Sequence, residues 1–128
     1  MIDPIFNSDA TYGLAQKFLD AAALRQNAIA SNLANAETPG YHRMDVAPDF
    51  AAQLKAQMES GQPPSSSLTP TLVQDPTARS IKPDGNNVEI EKELLAMNRN
   101  SVEYQYLSNY ISSNIKELKQ AISGQAGS

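Results

Sequence analysis

Two long stretches of this chain place apolar or small residues at helical spacing, and the segment between them does not. In the first stretch Tyr12, Ala15, Leu19, Ala22, Gln26, Ile29 and Leu33 recur three or four apart, with Gln26 as the polar exception. That spacing predicts a helix with a single seam of about four heptads. Ser8 or Asp9 is read as its N-cap, because either side chain can accept from the free amides of a first turn. Ala21, Ala23, Ala28, Ala30 and Ala34 lie around the seam. Alanine favours helix and lets a neighbouring backbone come close.

In the second stretch Ile90, Leu94, Met97, Ser101, Tyr104, Ser108, Ile111, Ile115, Leu118 and Ile122 keep the same spacing. Asp84-Gly85 is turn chemistry, Asn87 is a suitable N-cap, and Glu89 and Glu91 suit the positive end of a helix. Gly124 is expected to end it. At ~1.5 Å per residue, a helix over 88–122 is roughly 50 Å long. The first helix carries small side chains and the second bulky ones, so the two are expected to pair as a coiled coil. A further stripe on the second helix, Leu95, Val102, Tyr106 and Tyr110, is apolar as well. One partner helix cannot cover both faces. Either the middle of the chain folds over the rest, as in a small bundle, or neighbouring copies do.

The middle begins with a turn. Thr38-Pro39-Gly40-Tyr41 fits type II geometry, with Pro39 fixing φ and Gly40 supplying a positive φ. An extended piece over 41–46 follows. Phe50, Leu54 and Met58, four apart, predict a brief helix over 49–59. Residues 60–83 contain Pro63, Pro64, Pro70 and Pro76 and are expected to lack regular structure beyond a short strand near 71–73. The expected fold class is therefore mainly α. Residues 1–36 form the N-terminal helix, 37–87 an irregular middle with a turn, a short helix and short β-strands, and 88–128 the C-terminal helix.

Composition narrows the functional classes. A net charge of -4, scattered along 128 residues, argues against nucleic acid and against a basic membrane-surface helix. The longest apolar run, Ala21 to Leu24, predicts no membrane insertion. The opening MIDPIFNSDA has neither a basic nor an apolar signal region, so no cleaved secretory signal is expected. There are no cysteines, which removes disulfides and thiolate chemistry. His42 is the sole histidine and is read as a solvent-facing or loop-packing imidazole. Glu89, Glu91 and Glu93 alternate on a helix start, a spacing that splays side chains apart and suits dipole complementation better than metal binding. No catalytic residue, cofactor or metal is expected. Two helices joined by a Pro/Ser-rich segment bury their seams incompletely, so the ends are expected to order on assembly.

The stretch ASNLANAETPGY, residues 30–41, resembles the signature of the bacterial flagellar axial proteins, the rod, hook and hook-associated subunits. The resemblance rests on Ser31, Asn32, Leu33, Ala34, Asn35, Thr38, Pro39, Gly40 and Tyr41. The short chain, together with DGNNVEIEKELLAMNRNSVEYQYL over 84–107 and DFAAQLKAQM over 49–58, is similar to the proximal rod members of that family. Residues 60–83 carry no part of the resemblance. A neighbouring rod subunit, equally short but with a different insert after the asparagine motif, is the near alternative; a cytoplasmic helical adaptor or secretion chaperone is the distant one.

The resemblance implies a structural subunit whose terminal helices stack in a helical tube carrying torque from motor to hook. It implies export through the flagellar type III apparatus and residence in the rod, across the periplasmic space. Implied partners are further copies of the chain, other rod proteins, and the adaptor that joins the rod to the MS ring and export gate. The assembly seam would comprise Ala15, Leu19, Ala22, Ile29 and Leu33 on the first helix. On the second it would comprise Leu94, Met97, Tyr104, Ile111, Ile115, Leu118 and Ile122. Asn32 and Asn35 are expected to bond to a neighbouring helix or cap the last carbonyls, Ala30 and Ala34 to keep that helix close, and the turn to throw the chain off the tube wall.

Overall fold

The computed structural model describes the backbone of residues 4–79 and 81–126 and the side-chain surroundings of 11–79 and 81–113. Five elements follow in order: α1 (Pro4–Ala34), β1 (Met44–Val46), α2 (Pro48–Glu59), β2 (Leu72–Gln74) and α3 (Ile90–Ala126). The long terminal helices α1 and α3 pack on each other, as expected.

Their ends differ from the sequence reading. α1 begins at Pro4, so Ser8 and Asp9 lie within the helix and not at its N-cap position. Proline is well placed there, because the first helical residue needs no N–H and its φ is already helical. α3 begins at Ile90, with Glu93 N–H donating to the Glu89 carbonyl at 3.0 Å. Asn87 is not its cap, because the Asn87 side chain is spent on the 41–43 segment. α3 also runs through Gly124 to Ala126; a glycine weakens a helix without ending it.

The turn matches expectation. Tyr41 N–H donates to the Thr38 carbonyl at 3.2 Å, and Gly40 has φ of 74°, the type II arrangement. The chain then doubles back along α1. β1 pairs antiparallel with β2, Met44 opposite Gln74, Asp45 opposite Val73 and Val46 opposite Leu72. Flanking bonds from Asp75 N–H to Arg43 O, 2.9 Å, and from Ala47 N–H to Thr71 O, 2.8 Å, extend the ladder at both ends. The short strand thus falls one residue beyond the predicted 71–73.

A small core sits between α1 and the middle segment. Val46, Phe50, Leu54 and Leu68 close on Ala21, with Leu14, Leu24 and Leu72 packed around them. Met58, the third member of the predicted α2 stripe, is exposed. The Lys17 ammonium donates to the Leu68 carbonyl at 2.6 Å, fastening the proline-rich stretch to α1.

On α1, Ala15, Ala22 and Ile29 of the expected seam are buried, and Leu19 and Leu33 half-buried. The α3 seam is rotated. Among the described residues of α3, Glu93, Asn100 and Leu107 are buried, while Leu94 and Tyr104 are 52% and 44% exposed. Met97 and Ile111 remain half-buried at the edge. The shift is about one residue, or 100° of a helix with 3.6 residues per turn. Its cause is polar: the bonds of Glu93 and Asn100 hold that line against α1. Leu95, Val102 and Tyr106 of the second stripe are exposed too, so the middle segment covers α1 and leaves this part of α3 open. The side chains of Ile115, Leu118 and Ile122 lie outside the described residues.

Candidate functional site

The two motif regions, 31–41 and 84–93, meet in one polar node at the end of α1. Asn32 is fully buried and occupies its centre. Its Nδ2 donates to the Met44 carbonyl at 2.9 Å, and its Oδ1 accepts from Met44 N–H at 2.8 Å. A side-chain amide thus pairs with a strand residue as another strand would. Nδ2 also reaches Glu93 Oε2 on α3 at 3.2 Å, and the Tyr41 hydroxyl donates to Oδ1 at 3.3 Å. One side chain therefore ties α1, the turn, β1 and α3 together. A buried amide is stable only when its donors and acceptors are matched, so the node forms as a set.

Arg43 supplies the charge. Its Nε donates to Glu93 Oε1 at 2.5 Å, and Nη1 pairs with Asp75 and lies 3.6 Å from Asp45. Arg25 on α1 holds Asp45 from the other side at 3.0 Å. Glu93 is almost wholly buried, so losing Arg43 would leave an uncompensated carboxylate in a poor dielectric. For Arg43, burial alone would lower the pKa, but the bonds from Glu93 and Asp75 outweigh it and stabilise the cation further. For Asp75, burial alone would raise the pKa. The Thr77 hydroxyl and amide and the Arg43 guanidinium outweigh that, holding the carboxyl below its ordinary value.

The 84–88 loop locks onto the turn. Asn86 Nδ2 donates to the carbonyls of Asn35, at 3.0 Å, and Thr38, at 2.8 Å, adding a second bond to two carbonyls that already accept from backbone N–H groups in the turn. Asn86 Oδ1 takes Val88 N–H at 2.8 Å. Asn87 Oδ1 takes Arg43 N–H at 2.7 Å, and Asn87 N–H donates to the Tyr41 carbonyl at 3.3 Å. Gly85 has φ of 86°, and a Cβ on it would meet the Gly40 Cα at 3.7 Å. Two glycines in left-handed conformations back onto each other where the motifs join.

The sequence-predicted motif residues thus divide. Asn32 does bond to a neighbouring helix, α3 of its own chain, and Asn35 does cap, its Nδ2 donating to the Ser31 carbonyl at 2.8 Å. The Thr38 hydroxyl donates to Asn35 Oδ1 at 3.1 Å, and Ser31 Oγ lies 3.0 Å from the Tyr41 hydroxyl. Leu33 is half-buried. Ala30 and Ala34 are exposed and do not hold α3 close; Ala15, Ala21, Ala22 and Ala28 are the buried alanines among the described residues of that helix. The Pro39-Gly40 turn, itself exposed, does not throw the chain outward. It folds β1 back onto α1. Glu93, read as a dipole complement, is instead the buried counter-ion of Arg43. Arg43, Asp45, Asp75, Asn86 and Asn100 were not foreseen, because they bond to partners 20 to 78 residues away. His42 is exposed, with Nδ1 3.4 Å from the Asn87 amide nitrogen. Among the described residues no acidic, histidine or cysteine cluster could hold a metal ion, and no helix is long and apolar enough to cross a membrane.

The node clasps two long helices near one end and leaves bulky side chains of α3 turned outward. The family described as "Flagella basal body rod protein" matches residues 18–42, the second half of α1 and the turn. The flagellar basal body rod protein FlgB of Escherichia coli (strain K12) is 33% identical over 131 residues, covering 89% of this chain and 94% of that protein. FlgB of Proteus mirabilis (strain HI4320) is 33% identical over 136 residues, covering 92% and 95%. FlgB of Salmonella typhimurium LT2 is 30% identical over 133 residues, covering 91% and 95%. The chain belongs to the FlgB family of flagellar basal body rod proteins. It is a structural rod protein and not an enzyme.

Two outcomes follow from the node. Gly40→Val has space for its side chain but must hold a β-branched residue at positive φ, and is expected to cost about 1–3 kcal/mol. Urea denaturation of the free chain checks this, and an unchanged midpoint would show that the turn tolerates another conformation. The lowered pKa of Asp75 contributes stability that is present at neutral pH and lost as pH falls through and below the usual carboxylate range near ~4. Melting temperature followed from pH 7 down to about 3 should therefore fall, and Asp75→Asn should flatten part of that fall. An equal fall in the variant would remove Asp75 from the account.

Proposed function

We propose that this chain is a subunit of the proximal flagellar rod, and that neighbouring subunits cover the outward faces of α3 in a helical tube carrying torque from motor to hook. What supports the reading is the exposure of Ile90, Leu94, Leu95, Val102, Tyr104 and Tyr106 along one helix. Large apolar patches on a free surface favour association, and burying each such side chain is worth about 1.5–3 kcal/mol. The seam of Ala15, Leu19, Ala22, Ile29, Leu33, Met97 and Ile111 lends α1 and α3 the stiffness of a paired rod element.

Further elements of the reading come from the resemblance. The subunit leaves the cell through the flagellar type III apparatus, stands in the periplasmic rod, and meets the MS-ring adaptor and export gate at its proximal end. The asparagine-turn segment running straight into TPGY favours FlgB over its neighbour FlgC, and the 30–33% identities to FlgB proteins agree. A cytoplasmic chaperone would bind one partner through the same face but would not enter the rod.

Leu95→Asp combined with Tyr106→Asp changes exposed positions, so the free subunit should fold and be secreted normally. Its recovery in detergent-extracted basal bodies should drop at least about tenfold, since two lost apolar burials exceed 1.4 kcal/mol. Incorporation at the level of the parent chain would contradict the proposed covering of α3, and absence of the parent chain from basal bodies would favour the chaperone.

A further inference from the structure

We draw no further inference here: the strongest candidate, the cavity of about 480 Å³ beside the start of α3 lined by Arg43, Asp75, Arg79, Glu89, Lys92 and Glu93, belongs to the node already described, since Arg43 is spent on Asp75 and Glu93 and Lys92 on Glu89, and nothing in the structure shows what would occupy the rest.

Discussion

The buried Asn32 amide, closed on the Met44 backbone and on Glu93, is the constraint on which the rest of this structure depends. It does for side chain and strand what a ladder does for two strands, and it does so inside the last turns of a helix. Once it is in place the chain must reverse at Gly40, β1 must lie along α1, and α3 must present Glu93 to it. Arg43 then joins Glu93 to Asp75, which brings β2 and the proline-rich stretch into the same unit. Polar groups in a low-dielectric site stand or fall together, so four separate segments acquire one geometry from one set of bonds.

That geometry has an energetic consequence. Because Glu93 and Asn100 face α1, the bulky side chains one residue further round the helix face away from it. The intrachain contact is made by alanines, Ile29, Leu107 and matched amides, and it buries comparatively little apolar surface. The chain thus fixes its internal arrangement with directional polar bonds and leaves much of its apolar surface on α3 uncovered. In a rod protein this division is physically sensible. Directional bonds specify the subunit, while non-directional burial, roughly proportional to area, is left for contacts with other rod components.

Much of the fold was legible in the sequence, for identifiable reasons. The seam spacing named Ala15, Ala22 and Ile29 on the buried line of α1, up to the end of the helix, where buried Asn32 displaces half-buried Leu33. The type II turn at Pro39-Gly40 and the brief helix through Phe50 and Leu54 follow from local chemistry. The α3 seam was misplaced by one residue because periodicity weighs Leu94 and Tyr104 above Glu93 and Asn100. A carboxylate or amide takes an inward position when its partner is supplied from elsewhere, and the partners of Glu93 and Asn100, namely Arg43, Asn32 and Gln26, lie beyond the reach of the α3 spacing. The caps failed for a related reason: Asn87 satisfies the chemistry of an N-cap but is drawn off by Arg43 N–H. The asparagine motif itself was visible, whereas its coupling to the 84–88 loop requires a fold to bring Gly40 against Gly85.

The central claim is that polar bonds define the subunit while its apolar faces on α3 await neighbours. Hydroxyl-radical footprinting of Tyr104 and Tyr106, compared between the free chain and purified rods, tests it most directly. The account predicts that both tyrosines react readily in the free chain and are strongly protected in rods. Equal protection in the free chain, or equal reactivity in the assembled rod, would contradict it.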